Sequence, residues 1–183
     1  MHRSVIVRQV GPAALLLAGL VAAAIAVDAA LHYAGLRWVG LYLGPVGTGI
    51  LALSFLYSLR KRGMIAFGRP RQLLEFHETL GWLGSLLLLV HGGSHFNALL
   101  PWFALLAMVV VVASGITGAV LLRRALELVR AGAGEAPDGA RLVLDAVTVD
   151  IMKKWRTVHM PLNAVFLTLA AIHIVTATLL RSW

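Results

Sequence analysis

The sequence predicts an all-α membrane protein, a bundle of five transmembrane helices, and three observations lead there. Sixty per cent of the 183 residues are hydrophobic, 13% are charged, and mean hydropathy is +0.86. Soluble domains carry about a quarter charged residues. Five apolar stretches each approach the roughly 20 helical residues needed to cross a hydrocarbon core of about 30 Å. Basic residues gather in alternate connections between those stretches, the pattern of a chain threaded back and forth through a bilayer.

The spans are expected at 12–31, 39–59, 77–98, 101–123 and 158–180. Helices follow because lipid satisfies no backbone hydrogen bond, and none of the stretches has the two-residue alternation of a barrel strand. Span one follows Arg3 and Arg8 and ends in small residues around Ala24–Ala30, so it shares features with a signal peptide. It is expected to be retained as a span. Span three is expected to end at about Asn97. Pro101 opens span four, where a missing N–H costs nothing. The connection 124–157 is expected to be a cytoplasmic loop. Gly132–Arg141 is turn-rich, and a short interfacial helix then carries Leu144, Val147, Ile151 and Trp155 on one side; the alternation of Val147, Val149 and Ile151 also permits a strand.

Charge sets the orientation. With the N-terminus inside, Arg3, Arg8, Arg60, Lys61, Arg62, Arg69, Arg71, Arg123, Arg124, Arg130, Arg141, Lys153, Lys154 and Arg156 are all cytoplasmic, and only Arg37 and Arg181 lie outside. Fourteen against two is a strong positive-inside bias. It predicts a multi-pass protein of the cytoplasmic membrane with the C-terminus outside. It also accounts for the net charge of +8 without nucleic acid as a partner. The absence of cysteine excludes disulfides, thiolate-ligated zinc or iron–sulfur sites and covalent haem attachment.

Four of the seven histidines form a pattern. His77 and His91 lie on span three and His159 and His173 on span five, each pair at positions i and i+14. At about 1.5 Å and 100° per residue, that interval rises roughly 21 Å and returns to within about 40° of the same face. Spans three and five run parallel, so His77 is level with His159 towards the inside and His91 with His173 towards the outside. A b-type haem takes one imidazole from each of two facing helices as its axial ligands. The expectation is two stacked b haems, with His77 and His159 on the inner iron and His91 and His173 on the outer. The bland reading of an isolated intramembrane histidine is a hydrogen bond between helices. Four polar groups in matched register at this depth need a shared reason.

Neighbouring residues have two readings each. Gly81 and Gly84, with Gly115 and Gly118, either clear space for haem or allow close helix packing. Arg60, Arg62, Arg71 and Arg156 stand where inner propionates would emerge, although the positive-inside bias already explains them. His95, one turn after His91, is a second candidate for the outer ligand. Its position at i+18 from His77 breaks register with His173. His95 is therefore expected to bond a propionate or a quinone, or to sit among lipid headgroups. Asp28 is the one carboxylate clearly inside a span. HETLG at His77 is no H-E-x-x-H zinc motif, and there is neither a P-loop nor a dinucleotide fingerprint.

The strings HETLGWLGSLLLLVH and WRTVHMPLNAVFLTLAAIH, each closing on the second histidine of an i, i+14 pair, resemble the two ligand helices of the ferric reductase-like transmembrane domain. The resemblance covers about residues 40–180. It implies two b haems held by His77, His159, His91 and His173. A sixth span and the C-terminal flavin and NADPH domain of many members have no counterpart here, so self-contained reductase activity is not expected. The expected role is a dihaem cytochrome b subunit of a larger oxidoreductase, in contact with membrane lipid and a separate flavoprotein or iron–sulfur subunit. Cytochrome b of quinol-oxidising complexes has similar ligand spacing, so a quinone-reactive anchor of a dehydrogenase is the nearest alternative. From other classes, a histidine-based transporter without haem is disfavoured by the scarcity of intramembrane carboxylates, and a pure anchoring subunit would hold no cofactor.

Overall fold

The computed structural model describes residues 2–93, 99–132 and 138–180, and among these every regular element is a helix. In chain order they are α1 (His2–Tyr33), α2 (Arg37–Ser54), α3 (Leu56–Lys61), α4 (Pro70–Gly92), α5 (Leu99–Gly132) and α6 (Asp138–Leu180). Five segments are long and apolar enough to cross a membrane: Gly11–Tyr33, Arg37–Lys61, Pro70–Gly92, Leu99–Val120 and Met152–Leu179. The protein is thus an all-helical chain with the character of a multi-pass membrane protein.

Local chemistry sets the helix ends. After α1 the chain turns at Gly35, with φ of +70°, and Leu36 N–H reaches back to Leu31 C=O at 2.9 Å. The turn after α3 repeats this device with Gly63 at φ +74° and Met64 N–H bonded to Leu59 C=O at 3.0 Å. Such left-handed caps satisfy carbonyls that the last turn leaves open.

Two boundaries depart from the sequence expectation. The third span starts at Pro70 rather than 77, because proline at the first helical position is already set at a helical φ. It stops at Gly92, followed by Gly93 at φ +50°, short of the expected end at Asn97. Residues 94–98, His95 among them, lie outside the described residues. The expected loop 124–157 is also largely helical. α5 continues to Gly132 and α6 begins at Asp138, so the segment expected to be a separate interfacial helix is the first part of one 43-residue helix. Residues 133–137 of the turn-rich stretch lie outside the described residues.

Packing is uneven. α2 and α4 form one tight antiparallel pair, and α5 and α6 form the other. Gly47 and Gly84 meet where α2 crosses α4: a Cβ on either would lie 3.1 Å from the other's carbonyl oxygen. Gly84 is buried against Leu51 and Gly47, so of its two readings close helix packing applies. α1 lies across α4 and α5 and also touches α2. The buried centre is small and includes Met108, Ser85, Val90, Leu20 and Ala24. Large apolar side chains such as Leu15, Phe103 and Val165 point outwards, as expected where hydrocarbon is the solvent.

Candidate histidine site

α4 presents His77 and His91 towards α2. His91 Nδ1 is 2.8 Å from the carbonyl oxygen of Gly40, and His77 Nδ1 is 3.0 Å from that of Ser54. A carbonyl only accepts, so each Nδ1 carries the proton and donates it. That tautomer leaves the Nε2 lone pair free for a metal, the arrangement usual for imidazole ligands. Gly40 and Ser54 are themselves related as i and i+14. An antiparallel helix therefore supplies one acceptor for each histidine at the same interval.

α2 also makes room for one of the rings. A Cβ at Gly44 would lie 2.6 Å from His91 Nε2, 2.7 Å from Cε1 and 2.8 Å from Cδ2, so the imidazole lies against a backbone that only glycine provides. On α6, His159 Nδ1 is 3.2 Å from the Ser114 hydroxyl of α5, and its Cε1 would be 3.8 Å from a Cβ at Gly115. Trp155, one turn earlier, stacks on the His159 ring with centroids 4.7 Å apart and planes 20° apart. Its Nε1–H donates to the Ser114 carbonyl at 2.8 Å, and a Cβ on Gly118 would collide with the indole. Tyr57 flanks His77 at 5.8 Å between ring centroids.

Across the bundle the histidines are matched in pairs. His159 lies within electrostatic reach of His77, and His173 within reach of His91. Their helices nevertheless do not pack together. Among the described residues, no Cα of α4 or α2 comes within 8 Å of a Cα of α6, whose backbone approaches α5 alone. Packed helices have axes about 8–10 Å apart. The α4 and α6 histidines are thus neighbours at two levels on helices whose backbones stay apart, and on α4 a Cβ at Gly81 would meet nothing within 4 Å. Midway along α6 on the histidine face, halfway between the two ligand candidates, Phe166 is buried.

These residues fit bis-histidine haem. Such a site asks the protein for only two neutral imidazoles, because the porphyrin provides the other donors. Among the described residues no three His, Asp or Glu side chains converge as a structural zinc site would require.

The secondary candidates fare differently. Arg71 is exposed and paired with Glu75 at 3.2 Å on its own helix. Arg156 is exposed. Arg123 bonds Glu78 at 3.2 Å and so ties α5 to α4 near the His77 end. Asp28 and His32, one turn apart on α1, are 3.9 Å apart. Two open apolar grooves of about 380 and 370 Å³ border α5, and neither is lined by a histidine. Sequence reasoning missed Gly40, Gly44, Ser54 and Ser114, and placed Trp155 only on the face of an interfacial helix. The interval shared by Gly40 and Ser54 was the one readable signal. No protein-family model, curated protein or solved structure matches this chain.

Proposed function

We propose that this chain is a dihaem b-type membrane cytochrome that relays electrons across the bilayer as one subunit of a larger oxidoreductase. One observation carries the reading: two histidine pairs, each spaced i, i+14 along its helix, are electrostatic neighbours at two levels although no Cα of α4 comes within 8 Å of α6 among the described residues. Hydrogen-bonding histidines that simply joined α4 to α6 would draw the helices together. Here the imidazoles of α4 bond α2, that of His159 bonds α5, and among the described residues no Cα of α4 comes within 8 Å of α6. The resemblance to the ferric reductase-like transmembrane domain supports the same ligands.

In this reading His77 and His159 hold the inner haem, and His91 and His173 the outer. When bound, each haem supplies a one-electron carrier. The chain would hold the His77 and His91 rings through the Ser54 and Gly40 carbonyls, which leave those two Nε2 atoms unprotonated. Electrons come from a partner flavoprotein, iron–sulfur subunit or quinol. The bias of basic residues favours the cytoplasmic membrane, with the N-terminus and the α5–α6 connection inside.

Haem assay by pyridine haemochrome and protein assay on one solubilised sample test this directly. A ratio near two haems per chain is expected, with a b-type α band on dithionite reduction. Replacing His77 or His159 should remove one haem, and replacing His91 or His173 the other. A ratio near zero in folded wild-type protein sinks the proposal.

A further inference from the structure

The groups that bond and stack on His159 come from one compact unit of α5 and α6. Ser114 on α5 has two roles: its hydroxyl meets His159 Nδ1 at 3.2 Å, and its carbonyl accepts the Trp155 indole at 2.8 Å. The indole then lies nearly parallel to the imidazole at 4.7 Å, seated on the surface that Gly118 leaves bare. Stacking fixes the tilt of the ring, the hydroxyl fixes its rotation, and the indole hydrogen bond fixes the stack. Gly118 and Ser114 are one helical turn apart, as are Trp155 and His159, so one turn of α5 faces one turn of α6. A half-buried indole that needed only an apolar berth would not require a glycine beneath it. No comparable aromatic ring stacks on His91 or His173 among the described residues.

We propose that Trp155, through Ser114 and Gly118, is the positioning residue of the His77–His159 site, holding the His159 ring in one plane and so setting that site's ligand-field signature and haem retention independently of the other site. The inference rests on the dihaem reading and adds to it a residue that does not touch the iron. Trp155 acts through His159. Groups that orient a metal-bound histidine typically account for roughly 10- to 100-fold in affinity. Losing both stack and hydrogen bond should fall in that range, and keeping the stack alone should recover part of it.

The test uses the full chain in two backgrounds, wild type and His173→Leu, the second leaving one site to be read alone. In each, Trp155→Leu, Trp155→Phe, Ser114→Ala and Gly118→Leu are compared by haem titration and by low-temperature EPR of the oxidised protein. Trp155→Leu and Gly118→Leu should weaken haem retention at the single remaining site roughly 10- to 100-fold and move its low-spin lines. Trp155→Phe should restore part of the retention, while the wild-type background keeps its second haem throughout. Trp38→Leu, at an exposed ring packed on Tyr42, serves as the control and should change neither. Unchanged lines and retention in Trp155→Leu overturn the inference while leaving the two-haem reading intact. Loss of both haems together also overturns it, since that marks a general folding role. A wild-type chain that binds no haem overturns both.

Discussion

Adding one methyl group at Gly44 should disable one histidine pair and spare the other. A Cβ there would lie 2.6–2.8 Å from three atoms of the His91 ring. Ordinary carbon contacts begin at about 3.5 Å, so the ring must retreat by ~0.9 Å at Nε2. A flexible side chain would swing aside at little cost, but this one is pinned. Its Nδ1–H is engaged at 2.8 Å by the Gly40 carbonyl, and α4 is clamped to α2 by the Gly47–Gly84 crossing. Retreat therefore stretches the hydrogen bond towards its limit, at about 1 kcal/mol, or overpacks the helix pair, at about 1–3 kcal/mol. At about 1.4 kcal/mol per factor of ten, haem retention at the His91–His173 pair should fall roughly 10- to 100-fold. Gly40→Ala is the matched control, since it makes the same chemical change on the same helix, keeps the carbonyl, and its Cβ meets nothing within 4 Å. Haem-to-protein ratios and reduced-minus-oxidised spectra should show one haem in Gly44→Ala and two in Gly40→Ala. Two haems with unaltered spectra in Gly44→Ala would refute the seating of His91 against α2.

Three other outcomes follow from the same geometry. Gly84→Leu should destabilise the whole fold rather than one site, because its side chain would enter the Gly47–Leu51 surface; thermal melting in detergent should fall and both haems should be lost together. A periplasm-only reporter fused after Trp183 should be active, and one inserted at 133–137 silent, if the fourteen-to-two distribution of basic residues sets topology; the reverse pattern swaps inner and outer. The isolated chain should not be reduced by NADPH in stopped flow but should respond to a quinol or a partner subunit. Rapid reduction by NADPH alone would reveal a nucleotide site in a chain that has no fingerprint for one.

What the sequence made legible follows the physics of its signals. Hydropathy reports contact with lipid, so the five spans were found to within several residues. It does not report where a helix stops, so Pro70 and Gly92 had to come from local backbone chemistry, and the long α5–α6 extension read as a loop because its charged residues break the apolar run. The histidine pairs were legible because two imidazoles at a fixed interval have few cheap explanations in lipid. Their supports were not. Backbone carbonyls of Gly40 and Ser54 carry no side-chain mark, and α2 was read only as a span. Gly84 was ambiguous because a missing side chain looks the same whether a cofactor or a neighbouring helix fills the space. Only its contact with Leu51 and the Gly47 carbonyl decides.

The support of α6 has a thermodynamic consequence for the proposed cofactor. Among the described residues this helix packs against α5 alone, and Phe166 is the one buried side chain among those described along it. Phe166 lies midway between His159 and His173 on the same face of the helix. An imidazole facing lipid or an unfilled gap is costly, and Ser114 compensates only one of the two on this helix. A group bridging α4 and α6 at both levels would give α6 its second contact surface and satisfy all four Nε2 atoms at once. Any ligand that binds the folded chain alone stabilises it by RT ln(1 + [L]/Kd), about 2.7 kcal/mol at a hundredfold excess over Kd. Two such sites on a helix that packs on one side only, against α5, would tie its position relative to α4 to loading. If haems bridge α4 and α6 as proposed, assembly of the bundle and acquisition of haem would be the same event.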